Sequence, residues 1–183
     1  TYAFNPNTFS EIKNISSGVY NPRWAKVAAL SDTTFLVIFV GQDTGGETEY
    51  LYYVRTADGG NSFTSPDTLA IASKGFETPP DIEAVSGENF NKAVVVWPLS
   101  TDNDTLADIV VARFSFNGGI SFDDTNVILN YGHHPVNIDL ATDLDDAFFL
   151  VYQDDYDTLY RFYTSTTVPP QDAFNLHPLI YNN

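Results

Sequence analysis

"RTADGGNSFTSP" at residues 55–66 and "FSFNGGISFDDT" at residues 114–125 write one pattern twice: a hydroxyl residue, then Asp or Asn two places on, glycine, and finally Ser-Phe. Each ingredient has a turn chemistry. Asp and Asn side chains accept hydrogen bonds from nearby backbone N–H groups, and glycine takes positive φ at low steric cost. A hydroxyl can tie the two chain ends together, and the aromatic can pack beneath the turn. The pattern therefore reads as a hairpin turn, and its recurrence asks for a repeat.

The repeat extends outward from both boxes. Each is preceded by a strand-like run, "EYLYYVR" (49–55) and "ADIVVAR" (107–113), and before that by a continuous apolar run, "FLVIFV" (35–40) and "AVVVW" (93–97). Earlier still lie "NPRWAKVAAL" (21–30) and "PPDIEAVSG" (79–87), with Pro22 and Pro80 at matching places. A third copy runs "HPVNIDLATD" (134–143, with Pro135), "AFFLVYQ" (147–153) and "TLYRFYTST" (158–166). After the boxes, Phe63 and Phe122 fall in register with Phe174 and with Phe9 of "NTFSEIKNIS" (7–16). The segments are short, rich in Val, Ile, Phe, Tyr and Thr, and bounded by Gly, Asn, Asp and Pro, as strands are. Runs that are apolar on consecutive residues imply burial on both faces. Four-stranded units recurring about every 50 to 60 residues, covered on both faces, predict an all-β propeller of antiparallel blades. The expected organisation is one domain, with an orphan outer strand in 1–19 and blades over 20–72, 78–130 and 133–182. Three blades fall short of the four to eight that close a ring, so the propeller is partial or completed by oligomerisation.

The boxes resemble the Asp-box, or BNR repeat, of sialidases and of many secreted propellers. Thr56, Asp58, Gly60, Ser62 and Phe63 fill that pattern. Ser115, Gly119, Ser121 and Phe122 fit the second copy, with Asn117 in place of the aspartate, and the third unit keeps little beyond Phe174. The resemblance implies structural turns at the outer edge of a propeller, and an extracellular or cell-surface setting.

Sialidase-like chemistry would need three arginines clamping a carboxylate and a tyrosine nucleophile. The chain has four arginines. Arg55, Arg113 and Arg161 fall in third strands and look like repeat positions, while Arg23 opens a first strand where its counterparts are Asp81 and Val136. No catalytic residue is therefore assigned. The reading is a non-catalytic module that binds a glycan or protein, or builds an extracellular fibre or surface layer by strand pairing. A sialidase-like or other glycoside hydrolase is the alternative.

Charge and composition narrow the partners. Twenty-four acids against eight Lys plus Arg give a net charge of −16, which repels nucleic acid and anionic substrates. No apolar run approaches the roughly 20 residues of a membrane helix, so no membrane insertion is expected. Cysteine is absent, which excludes thiol chemistry. No cofactor is expected. Calcium is the one candidate ion, with Asp154, Asp155 and Asp157 of an oxygen-rich loop as ligands. His133 and His134 adjoin one another but face opposite ways in an extended chain. Asn14 and Asn103 head acceptor sequons for glycosylation. The chain itself is the first partner expected, as a homo-oligomer or polymer.

Overall fold

The computed structural model describes residues 11–46, 48–72, 75–87, 90–100, 109–124, 127–131, 135–142, 147–154 and 159–165. Among the described residues, eleven strands make three antiparallel sheets in chain order. The first is β1 (Tyr20–Ala29), β2 (Phe35–Gln42), β3 (Glu49–Thr56) and β4 (Asp67–Ala72). The second is β5 (Asp81–Gly87), β6 (Phe90–Leu99), β7 (Ile109–Ser115) and β8 (Val127–Tyr131). The third is β9 (Pro135–Thr142), β10 (Ala147–Asp154) and β11 (Leu159–Ser165). Each sheet is a simple meander, every strand pairing with its sequence neighbour. The chain is all-β, with no helix among the described residues. Residues 11–19 form no strand but a turn, closed by the Val19 N–H donating to the Ser16 carbonyl at 3.0 Å. Residues 1–10 and the "DAFNLHPLIY" segment lie outside the described residues.

The sheets lie face to face in series, β1 next to β5 and β5 next to β9. We call the face turned toward the following sheet forward, and the other one back. Because successive strand residues point to opposite faces, the apolar runs serve two cores at once. Leu36, Ile38, Val40, Leu51 and Tyr53 go forward from the first sheet to meet Ala93, Val95, Trp97, Ile109 and Val111 on the back of the second. Val94, Val96, Val110, Ala112 and Phe114 go forward from the second to meet Ile138, Leu140, Phe148, Leu150 and Tyr152. The middle sheet is thus buried on both faces, which is why its β6 carries five consecutive apolar residues from Ala93 to Trp97.

Register fixes the internal equivalences. Thr56 lies opposite Phe35, and Ser115 opposite Ala93. Counting along β2 and β6 from those anchors, Ile38 faces Lys26 while Val96 faces Asp81. Asp81 is therefore the counterpart of Lys26, and not of Arg23 as the proline spacing suggests. The difference arises in β1, which carries two bulges against β2, between Tyr20 and Arg23 and between Arg23 and Lys26. Asn21 (φ 47°) and Trp24 (φ 56°) take left-handed backbone there, the geometry in which an extra residue is absorbed. β9 has one bulge against β10, with Asn137 at φ 51°. Asn21 donates through Nδ2 to Gln42 Oε1 at 2.7 Å, and Asn137 does the same to Gln153 at 3.1 Å. These two asparagines mark equivalent positions, so Pro22 and Pro135 are not equivalent.

Trp97 is completely buried between the first two sheets, and its indole N–H has no hydrogen-bond partner. Phe39 holds the same place in the first sheet. Trp97→Ala should lose about 3–5 kcal/mol in urea unfolding. Trp97→Phe, which removes the unpaired N–H and keeps an aromatic, should lose under about 1.5 kcal/mol.

Candidate functional site

The turns at 56–63 and 115–122 share one hydrogen-bond plan. Thr56 Oγ1 donates to Asp58 Oδ1 at 2.8 Å and accepts from the Gly60 N–H at 3.0 Å. Ser115 Oγ donates to Asn117 Oδ1 at 3.0 Å and accepts from the Gly119 N–H at 2.9 Å. Asp58 Oδ1 accepts from the Ser62 N–H at 2.9 Å, and Asn117 Oδ1 from the Ser121 N–H at 3.1 Å. One bond is reversed: the Ser62 hydroxyl donates to Asp58 Oδ2 at 2.5 Å, whereas Asn117 Nδ2 donates to the Ser121 hydroxyl at 2.8 Å. A hydroxyl can do either, so Asp and Asn are interchangeable here. Hydrogen bonds from the Ser62 hydroxyl and N–H, then from Thr56, hold the Asp58 carboxyl well below the usual carboxylate range. Gly60 (φ 88°) and Gly119 (φ 72°) supply the left-handed backbone.

The second turn also docks onto the first sheet. Arg55 Nε donates to the Gly118 carbonyl at 2.8 Å, and the Tyr53 hydroxyl is shared between Asp67 Oδ2 (3.2 Å) and the Ile120 carbonyl (3.4 Å). Phe122 meets Tyr53 edge-on at 5.1 Å, a favourable aromatic geometry. Gly119 presses so closely on the buried Leu36 that a methyl group there would overlap it. Gly60 meets only its own Phe63. Lys13 donates to the Asn61 carbonyl, the counterpart of Ile120.

The other polar contacts gather along the first strands. Arg23 grips Glu49 with both ends of its guanidinium, at 2.5 and 2.6 Å, and its cation sits 4.3 Å from the Trp24 ring centre. Glu49 also accepts from the Phe76 N–H at 2.8 Å. Burial raises the Glu49 carboxyl, but Arg23 and the Phe76 N–H outweigh it and hold it below its ordinary value. Asp81, buried at the head of β5, accepts from the Leu140 N–H at 2.7 Å through Oδ2 and from its neighbour Ile82 at 3.0 Å through Oδ1. Lys26 Nζ lies 3.3 Å from Oδ1. That one carboxylate touches all three sheets. Glu83, on the same forward face, is pushed up first by burial and then by the charges of Asp81 and Asp139, with Lys26 and the Ala84 N–H acting against them.

Among the described residues, the arginines do not converge. Arg55 points forward to Gly118, whereas Arg113 lines a cleft of about 270 Å³ on the back of the second sheet with Ile71, Trp97 and Leu99. Arg55 and Arg113 are one residue out of repeat register, so they belong to opposite faces. Arg23 is closed by Glu49. The Arg161 side chain, His133, His134, Asp155, Asp157 and Asn103 lie outside the described residues, as does the Asp154 side chain. Among the described residues, no three His, Asp or Glu side chains are grouped to hold a metal ion. Asn14 is exposed, and its Oδ1 accepts from the Ser16 N–H at 3.0 Å.

A crystal structure of the NanB sialidase from Streptococcus pneumoniae is similar to this chain, with a TM-score of 0.48 and 16% identity over 75% of this chain and 21% of that one. The chain thus spans about a fifth of that protein's length. No family model matches the chain, and no curated protein does.

Sequence reasoning missed Glu49 and Asp81 as organising groups. Glu49 was legible only as one acid in "GQDTGGETE"; that it opens a strand beside Arg23 is a matter of register. Asp43, in the same stretch, caps its own turn by accepting from the Gly45 and Gly46 N–H groups at 3.0 and 3.2 Å.

Gly119→Ala should cost about 1–3 kcal/mol more than Gly60→Ala, because both strain the backbone but only the first overpacks a buried leucine. Paired denaturation curves read the difference. Glu83 gives a pH signature. Its raised value means that it contributes stability below its ordinary 4.5, and that this is lost as pH rises through the raised value. Glu83→Gln should melt higher than wild type at pH 7, with the gap closing below pH 4.5, in thermal scans across pH.

Proposed function

We propose that the three sheets are units of an Asp-box β-propeller, and that the chain works outside the cell or at its surface as a non-catalytic module. It binds a glycan or protein, or builds an extracellular assembly. The serial sheets, the matched registers and the two like turns support the propeller. The observation that carries the functional reading is the engagement of the cations. Arg23 is held by Glu49, Arg55 by the Gly118 carbonyl and Lys26 by Asp81, so each joins strand to strand or sheet to sheet. A carboxylate clamp needs guanidinium groups converging on open space. Bound cofactor plays no part in this reading, and calcium, if taken up, would go to the 153–158 loop.

Glu83 favours a second reading. A carboxyl whose proton affinity is raised by burial and by neighbouring Asp81 and Asp139 is the arrangement a glycoside hydrolase uses for its general acid. Purified protein incubated with a panel of chromogenic glycosides, sialosides included, separates the two. The expected result is release no faster than the buffer blank at any pH from 4 to 8. Turnover that disappears in Glu83→Gln would replace the first reading with the second.

A further inference from the structure

We propose that Asn117 is a fold-gated deamidation site: the second turn keeps its carboxamide intact while closed, and conversion of the residue marks the turn's opening. The sequence supplies the chemistry. Asn117-Gly118 is the one Asn-Gly step in the chain, and a glycine, with no side chain in the way, lets its backbone nitrogen reach the carboxamide carbon before it. The Gly118 nitrogen gives up its proton and bonds to Asn117 Cγ, the Cγ–Nδ2 bond breaks, and ammonia leaves. Water then opens the cyclic imide at one carbonyl or the other, giving aspartate or its β-linked isomer, isoaspartate.

The closed turn withholds both reactants. Gly118 is buried, and its N–H is engaged by the Asn91 carbonyl at 3.0 Å. The carboxamide is held at both ends. Its Oδ1 accepts from Ser115 Oγ at 3.0 Å and from the Ile120 and Ser121 N–H groups at 3.1 Å each, while Nδ2 donates to the Ser121 hydroxyl at 2.8 Å. Attack requires the Gly118 nitrogen to leave Asn91 and turn on Cγ, which those bonds oppose. The joint with the first sheet adds a further restraint. Arg55 holds the Gly118 carbonyl and Gly119 lies against Leu36, so the turn opens as it lifts off that sheet. Local openings of this kind have free energies of their own, at or below that of global unfolding.

The two products differ in what they allow afterwards. Asp58 holds the same place in the first turn and makes the same closure, its Oδ1 accepting from the Ser62 N–H and its Oδ2 from the Ser62 hydroxyl. Aspartate in the second turn needs only the Ser121 hydroxyl to change from acceptor to donor. Isoaspartate instead routes the main chain through the β-carbon and adds an atom to it. That moves the side-chain acceptor off the Ile120 and Ser121 N–H groups, and shifts the next two residues from Arg55 and Leu36. A chemical change in the opened form that blocks closure converts a reversible opening into a permanent loss.

Peptide mass mapping of the full chain, at one temperature and pH with and without guanidinium chloride, tests this. Unfolded chain should deamidate at Asn117 ahead of every other asparagine, and folded chain more than about tenfold more slowly at that residue. Gly118→Ala should slow the reaction in denaturant, a reading that does not depend on that variant folding. After denaturant is removed, the fraction that refolds should carry aspartate, and isoaspartate, detected with an isoaspartyl methyltransferase, should stay with the fraction that does not. Asn117→Asp should melt with wild type. Equal rates in folded and unfolded chain overturn the proposal, as does an unfolded-state rate that Gly118→Ala leaves unchanged. Asn117→Asp melting well below wild type, or isoaspartate spread evenly between the two fractions, overturns it too. None of these outcomes bears on the non-catalytic reading, which the glycoside panel decides separately.

Discussion

The Asp81 carboxylate touches every sheet. Its own strand supplies the Ile82 N–H, the third sheet supplies the Leu140 N–H, and the first supplies the Lys26 ammonium. A buried carboxylate is costly unless its oxygens are occupied. Here the partners come from neighbouring sheets, so satisfying the charge and setting the sheet positions are the same event. Glu49 repeats the logic nearer the start of the chain, with Arg23 on one side and the Phe76 N–H on the other. In both places electrostatics locates what hydrophobic contact alone leaves free to slide.

At the other end of the strands the turns do corresponding work. The Gly59 N–H donates to the Thr33 carbonyl at 2.8 Å and the Gly118 N–H to the Asn91 carbonyl at 3.0 Å, so each turn is tied back to its own sheet. The second turn goes further and meets Leu36, Tyr53 and Arg55 of the sheet before it. The first turn, alike in its internal bonds save the one reversed between Asp58 and Ser62, has Lys13 where the second has Tyr53. One motif therefore stands in two environments. Its residues dictate the turn; its neighbours dictate what the turn holds.

Much of the fold was legible in the residues. Consecutive apolar residues in "AVVVW" announced a strand buried on both faces, and β6 is one, because alternate side chains enter two different cores. The boxes announced hairpin turns, and positive φ at Gly60 and Gly119 is what their glycines are for. The inner-strand alignment was not legible. Matching prolines paired Arg23 with Asp81, but bulges at Asn21 and Trp24 insert residues that no local preference advertises. The arginines misled for a related reason. Arg55 and Arg113 look alike in position, yet a shift of one residue sends a strand side chain to the opposite face.

By itself, the sequence determined the local elements: period-two strands, turns closed by a side-chain oxygen, and units that cannot bury their faces alone. Those depend on chemistry within a few residues. Only the tertiary structure decided which charge meets which and how deeply each strand position is buried. Both depend on register summed over bulges and on sheets far apart in the chain, so Ile82 and Val27, equivalent in their strands, end in opposite surroundings.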